Sequence, residues 1–401
     1  MPKLLIVNPA KNYGSTGKIA EQIGLMAITN GWEVRFAHSS RYERPSKLKS
    51  LTTGNKLGER FHALMAYFFD RQGLYSKSAT KKMIAAIKEY APDIIHLHNV
   101  HGYYLNYPML FSYMAKANIP IVWTMHDCWS FTGHCTYFDM VGCEKWKTHC
   151  GHCPNLADYP KAIIDRSYKN FELKCSLFTK IKDLTMVPVS EWLGDLTRQS
   201  FMGKYPVHVI HNGIDLSVFR IKENNVRNRY NLQDKYIVLG VSSNGFTGRK
   251  GMTDFIKLSQ ILPSEFQIIM VGLKDEEKNL LPANILGLTR TANVEELVDL
   301  YNAADVFINP TYSDNFPTTN IEALACGTPV VTYQTGGSPE AIDNNTGVVI
   351  LQGNVHELAN AIQRLKVNPI FSEQCRKRAE LLFDKNKCFN QYIALFNSMR
   401  K

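Results

Sequence analysis

The chain has 401 residues, 45% apolar and 20% charged, with a formal net charge of +10. That length suits two domains, and the apolar fraction excludes a disordered or fibrous chain. No run approaches the roughly 20 apolar residues of a membrane-spanning helix. No helix-turn-helix, zinc-finger or RNA-recognition signature accompanies the positive charge, so nucleic acid is not an expected partner. The charge points to solubility, to phosphorylated ligands or to an anionic membrane face.

Residues 4–7 read as a first strand, reached too soon for a signal peptide. Asn8 to Lys18 follows it and opens a helix over 19–29. Gly14 and Gly17 in that loop would let the backbone approach a ligand beside free helix N–H groups. The spacing is neither a full dinucleotide fingerprint nor a P-loop, so a tight βα turn is the plainer reading. A strand is predicted over 33–36. Residues 39–75 turn polar, then basic and aromatic, with Phe61, Tyr67, Phe68, Phe69 and Tyr75 among Lys56, Arg60 and Arg71. Most of these aromatics are expected on a helix packed against the core, with a membrane surface as the other use.

A helical pattern over 81–89 and strands over 94–97, 121–124 and 186–189 continue the βα rhythm. His96 and His98 alternate on one strand and are expected in structural or cleft-lining roles rather than as metal ligands. His126 ends the strand over 121–124, where a side chain can meet a sugar hydroxyl. Five of the nine cysteines fall between Cys128 and Cys153. Cys135, Cys143, Cys150 and Cys153 could form a four-thiolate structural zinc site or remain free thiols lining a pocket. The odd cysteine count and the N-terminus point to reduced thiols and a cytoplasmic chain.

The rhythm repeats with strands over 236–239, 268–271, 306–308, 330–332 and 348–350. Gly248-Arg249-Lys250-Gly251 lies between the first of these strands and a helix, and its lysine suits a diphosphate. Asp314 sits in a loop after the strand over 306–308. Glu322 sits in the early turns of a helix over 320–326, and Gly336 to Glu340 forms another loop and helix start. In a parallel sheet these carboxyl-end loops bind ligands. The expected domains are 1–203, with a Cys-rich insertion at about 128–160, then 204–384, then a terminal helix over 385–401.

Asp314-Asn315-Phe316-Pro317 followed by Glu322 resembles the donor-site signature of retaining glycosyltransferases of family 4. Gly14 to Gly17, His126-Asp127, Asn212-Gly213-Ile214-Asp215 and Lys250-Gly251 extend the resemblance over most of the chain in family order. Asp314 departs from the family's usual Glu. The family's Arg, about five or six positions before the Lys and near Asn244 here, is missing, with Arg249 adjacent instead. The resemblance implies an α/β GT-B fold, two Rossmann-like domains facing a central cleft, with the C-terminal helix crossing back to the first domain.

It further implies a retaining transferase that moves a hexose from a UDP- or GDP-sugar to a hydroxyl of a growing, lipid-linked surface polysaccharide. Lys250 would hold the diphosphate, Glu322 the ribose and Asp314 the donor sugar. His126 would meet the sugar or acceptor, and Gly14, Gly17, Arg249, Asn315 and Phe316 would complete the donor site. No cofactor would be needed for catalysis. The cysteine segment resembles bacterial exopolysaccharide and colanic-acid-type transferases. A cytoplasmic enzyme, peripheral at the inner face of the membrane, is expected. A nucleotide-sugar epimerase and a non-catalytic nucleotide-sugar-binding partner are the competing readings.

Overall fold

The apolar runs fold as parallel strands of two sheets in the computed structural model, which describes residues 1–52, 54–243 and 245–400. The chain divides into one unit of Met1–His211 with Phe389–Lys401, and a second of Asn212–Cys388. The first unit holds β1 (Lys3–Val7), β2 (Glu33–His38), β3 (Lys49–Thr52), β4 (Ile94–Leu97), β5 (Ile121–Met125) and β6 (Leu184–Pro188). Their order is β3-β2-β1-β4-β5-β6, all parallel. β4, β5 and β6 are buried along their whole length. Sheets covered by helices on both faces need such unbroken apolar runs.

The second unit repeats the plan with β7 (Tyr236–Val241), β8 (Phe266–Val271), β9 (Ile285–Leu288), β10 (Val306–Asn309), β11 (Val330–Tyr333) and β12 (Gly347–Ile350). The order is β9-β8-β7-β10-β11-β12. In each sheet the strand order therefore reverses once, between β1 and β4 and between β7 and β10, while the strands stay parallel. The loops leaving those strands flank the switch point where open α/β sheets bind ligands.

The first unit runs past Lys204 because 206–210 pairs along β6. His208 N–H donates to Met186 O at 3.0 Å and Ile210 N–H to Pro188 O at 3.1 Å. At the other end, residues from Phe389 of the helix Lys385–Met399 belong to the first unit. There Phe396 is buried against Trp32, with ring centroids 5.8 Å apart, and Tyr392 Oη accepts from Thr124 Oγ1 at 3.2 Å.

The helix Lys56–Phe69 departs from expectation. It buries Glu59, His62 and Ala66, while Phe61, Tyr67, Phe68 and Phe69 are exposed rather than packed on the core.

Candidate active site

In the second unit two loops leave neighbouring strands at the switch point. The loop after β7 carries Gly248–Lys250 as one 3-10 turn, then the helix Met252–Ile261. Gly251 between them has φ +76°, and a Cβ there would stand 2.3 Å from Pro310 O. The position thus needs both a left-handed backbone and an absent side chain. That close approach sets the Lys250 turn against the loop leaving β10. Tyr312 N–H and Thr311 Oγ1 both donate to Arg249 O, at 2.7 and 3.1 Å. Arg249 Nη1 donates to Ser313 O at 2.6 Å and lies 3.8 Å from Asp314 Oδ2.

Lys250 Nζ is hydrogen-bonded to Asp314 Oδ2. Burial pushes the Asp314 carboxyl up, but the Lys250 and Arg249 charges and the bond from Lys250 outweigh it and hold the group below the ordinary carboxylate range. Two cations and one carboxylate therefore share a partly covered site in which Asp314 keeps 15% of its side chain exposed and Lys250 25%. The local excess of one positive charge is what a phosphorylated ligand requires.

Residues without a motif brace this site. Glu277 Oε1 accepts from Phe246 N–H at 2.9 Å and Thr247 N–H at 2.7 Å, while Oε2 accepts from Lys274 N–H at 2.9 Å. These bonds overcome the upward push of burial and keep its carboxyl low. Asp254 Oδ2 accepts from both Tyr312 Oη at 2.8 Å and Tyr333 Oη at 2.7 Å. On the buried face of the helix Thr318–Ala325, Asn320 bridges Asn309 at 2.9 Å and Ser338 Oγ at 2.9 Å. Ser338 Oγ also meets Thr332 Oγ1 at 2.7 Å. Glu322 Oε2 accepts from buried Tyr301 Oη at 3.0 Å. Phe316 is turned inward, 4% exposed and 5.7 Å from the Phe383 ring, and Asn315 is buried beside it. Asn244, near which the family's Arg would fall, lies outside the described residues.

The first unit places its own candidates around the other switch point. Gly14 opens the helix Gly14–Thr29, and a Cβ on Gly17 would come 2.8 Å from Ala10 O. Gly17 thus lets the helix sit directly against the preceding loop. His126, just after β5, meets His98 Nδ1 through Nε2 at 2.9 Å, with the rings stacked. Burial lowers His126 to about 4, and His98 well below its ordinary value, so both imidazoles are neutral near pH 7. Beside them His101 Nε2 meets Asp127 Oδ2 at 2.8 Å. His98 was expected in a structural or cleft-lining role, whereas His101 is a candidate that sequence reasoning did not single out.

Cys135, Cys143, Cys150 and Cys153 line one pocket with His134 and Trp146. Gly133 N–H donates to Cys150 Sγ at 3.2 Å. Hydrogen bonding from Cys135 brings the Cys153 thiol down to about 7, against the upward push of burial. The set has the thiolate chemistry zinc prefers, yet among the described residues no group of three or more His, Cys, Asp or Glu is arranged to hold a metal ion. A buried polar bond, His134 Nδ1 to Asp70 Oδ1 at 2.7 Å, ties the segment to the end of the Lys56–Phe69 helix.

The chain thus has two Rossmann-like units, with cation-bearing and carboxylate-bearing loops at the switch point of the second, and comparison with known proteins gives its class. Residues 222–381 match the model for glycosyl transferases group 1, and residues 24–218 the model for glycosyltransferase family 4. The chain belongs to these glycosyltransferases of the GT-B fold. It is 23% identical over 318 residues to WcaC of Escherichia coli (strain K12), a protein assigned to colanic acid biosynthesis as a glycosyl transferase, covering 77% of each chain. It is 25% identical to CapM of Staphylococcus aureus, a capsular polysaccharide biosynthesis glycosyltransferase, over 47% of this chain and 54% of that one. Among solved structures, sucrose-phosphate synthase from Thermosynechococcus elongatus superposes with a TM-score of 0.72 at 18% identity, covering 100% of this chain and 99% of the other. Anabaena HepE in complex with UDP-glucose gives 0.66 at 17% identity, with 99% of each chain covered.

Proposed function

We propose that this glycosyltransferase moves a hexose, with retention, from a UDP- or GDP-sugar to a hydroxyl of a lipid-linked surface polysaccharide. One observation carries the reading: Arg249 and Lys250 converge with Asp314 at the carboxyl ends of adjacent strands. The UDP-glucose held by HepE supports a nucleotide-sugar donor. The polysaccharide roles of WcaC and CapM support the acceptor class.

In this reading the diphosphate draws Lys250 away from Asp314. The carboxylate of Asp314 then accepts hydrogen bonds from hydroxyls of the donor sugar. Glu322, steadied by Tyr301, accepts from the ribose. As the bond between the anomeric carbon and the phosphate oxygen breaks, negative charge grows on the leaving diphosphate, and Lys250 and Arg249 stabilise it. The acceptor oxygen attacks from the same face, and its proton passes to the departing phosphate. No protein nucleophile is then required. His126, held neutral, contacts a sugar or acceptor hydroxyl without adding charge.

Lys250→Ala tests the assignment. Turnover should fall by roughly a hundredfold or more, on the order of 3 kcal/mol of transition-state stabilisation, with the fold retained. Near-normal rates in a folded variant would remove Lys250 from the mechanism. Thermal shifts with UDP and GDP in turn identify the base.

A further inference from the structure

Two neutral imidazoles bonded nitrogen to nitrogen share one proton between them, so the bond has a direction. His98 follows β4 and His126 follows β5, and the parallel pairing of those strands brings the two rings together. His98 Nδ1 lies 2.9 Å from His126 Nε2, with the rings within 12° of parallel. Either His98 donates through Nδ1–H or His126 donates through Nε2–H. Burial keeps both rings neutral near pH 7, which removes a charged pair with donors on both sides.

The far side of His98 decides the direction. His98 is 1% exposed, and its Nε2 meets no protein donor or acceptor. Its backbone is fixed, the amide donating to Val7 O at 2.9 Å and the carbonyl accepting from Trp123 Nε1 at 2.9 Å. A neutral imidazole bears one N–H. Placed on Nε2, that proton would be a stranded buried donor; placed on Nδ1, it leaves only a lone pair there. Orphaned N–H groups are the rarer fault in protein interiors. Neighbouring His96, with its ring centroid 4.2 Å away, obeys the same rule. Its Nδ1 is the atom without a partner, and its Nε2 faces Thr124 Oγ1 at 2.8 Å. That hydroxyl gives its own proton to Tyr392 Oη at 3.2 Å, so it accepts from His96.

We infer that His98 is the positioning residue of His126: it donates Nδ1–H to His126 Nε2 and thereby holds the His126 proton on Nδ1. Which imidazole nitrogen is protonated is set by the bond the other one makes. His126 then offers a hydrogen-bond donor, not a lone pair, on its remaining polar edge, and a sugar or acceptor oxygen is the matching chemistry. This rests on the reading of His126 as a contact for a sugar or acceptor hydroxyl, and it gives that contact its polarity. His98 acts only through His126.

The test is a proton–nitrogen correlation spectrum of the full chain, isotope-labelled at the histidine ring nitrogens, near neutral pH. The His126 signals are those lost in His126→Gln. In the wild type they should show a protonated Nδ1 and a bare Nε2. His98→Asn places an amide nitrogen where Nδ1 stood. It should keep that pattern and most of the rate of nucleoside diphosphate release from UDP-glucose or GDP-glucose. His98→Leu keeps the branching without a donor; it should mix the two His126 tautomers and slow release by about fivefold to tenfold. A wild-type His126 protonated on Nε2, with His126→Gln impaired, would overturn this inference alone. So would a His98→Leu chain that melts lower yet keeps the wild-type His126 pattern, the result of a purely structural histidine. Wild-type rates in a folded His126→Gln would instead strike the substrate contact of His126, and with it the role of His98 in transfer.

Discussion

Asp314→Asn and Asp314→Glu separate a sugar-orienting carboxylate from a loop-capping one. Asn preserves the shape and removes the charge. A hydrogen bond to a charged group contributes about 1.5–3 kcal/mol, so turnover at saturating donor should fall between about tenfold and about a hundredfold. Asp314 is also the anion that Lys250 leaves when phosphate arrives. Opposite charges about 4 Å apart near a protein surface attract by roughly 4 kcal/mol, and the diphosphate must offset part of that attraction. Asn therefore weakens turnover while leaving nucleoside diphosphate affinity equal or higher. Folding should suffer less than the roughly 3–5 kcal/mol of a broken buried pair, because Lys250 and Arg249 keep 25% and 34% of their side chains exposed to water. Glu restores the carboxylate with one more methylene and should keep most of the rate. Initial rates and nucleotide titrations on the three proteins decide the matter. Asn active with Glu inactive, or Asn binding nucleoside diphosphate more weakly, would refute the reasoning.

Two further outcomes follow from geometry. Gly251→Ala puts a methyl 2.3 Å from Pro310 O at φ +76°; it should cost about 1–3 kcal/mol of stability and raise the donor KM, and an unchanged melt with unchanged KM would contradict the close approach. His62 and His126 take up protons near pH 4 when folded, since burial lowers both, but near 6.5 when unfolded. The unfolded chain therefore binds more protons as pH falls, and stability present above about pH 6.5 is lost progressively toward pH 4. At pH 5 the loss is about 2 kcal/mol per histidine, measurable by denaturant melts at pH 7 and 5; equal stability at both would refute it.

Much of the fold was legible because buried parallel strands announce themselves as unbroken apolar runs. The stretch 94–97 matched its observed bounds, Ile94–Leu97, and the helix expected over 320–326 overlaps the observed Thr318–Ala325. β3 and β9 escaped notice. β3 (Lys49–Thr52) is polar at three of its four positions, and β9 (Ile285–Leu288) is broken by Gly287. Lys250 and Asp314 were readable as residues after strands, but not their contact, which depends on β7 pairing with β10. Glu277 gave no signal at all. It reads as a first-turn carboxylate of a short helix, and its work is done on backbone amides some thirty residues earlier in sequence. The aromatics of Lys56–Phe69 were misplaced for a physical reason. Apolar periodicity locates a stripe on a helix, but not which side of the helix faces protein.

Arg249 O accepts from two groups of the loop that carries Asp314, the Tyr312 amide and the Thr311 hydroxyl. The cationic turn and the carboxylate loop are consequently stitched into one jaw. Recognition of a donor's two halves is then mechanically inseparable, since a shift that loosens the hold on phosphate also displaces the group facing the sugar. Altering sugar preference at Asp314 without altering nucleotide binding would require cutting that stitch, and Thr311→Val removes one thread while leaving all three charged groups in place.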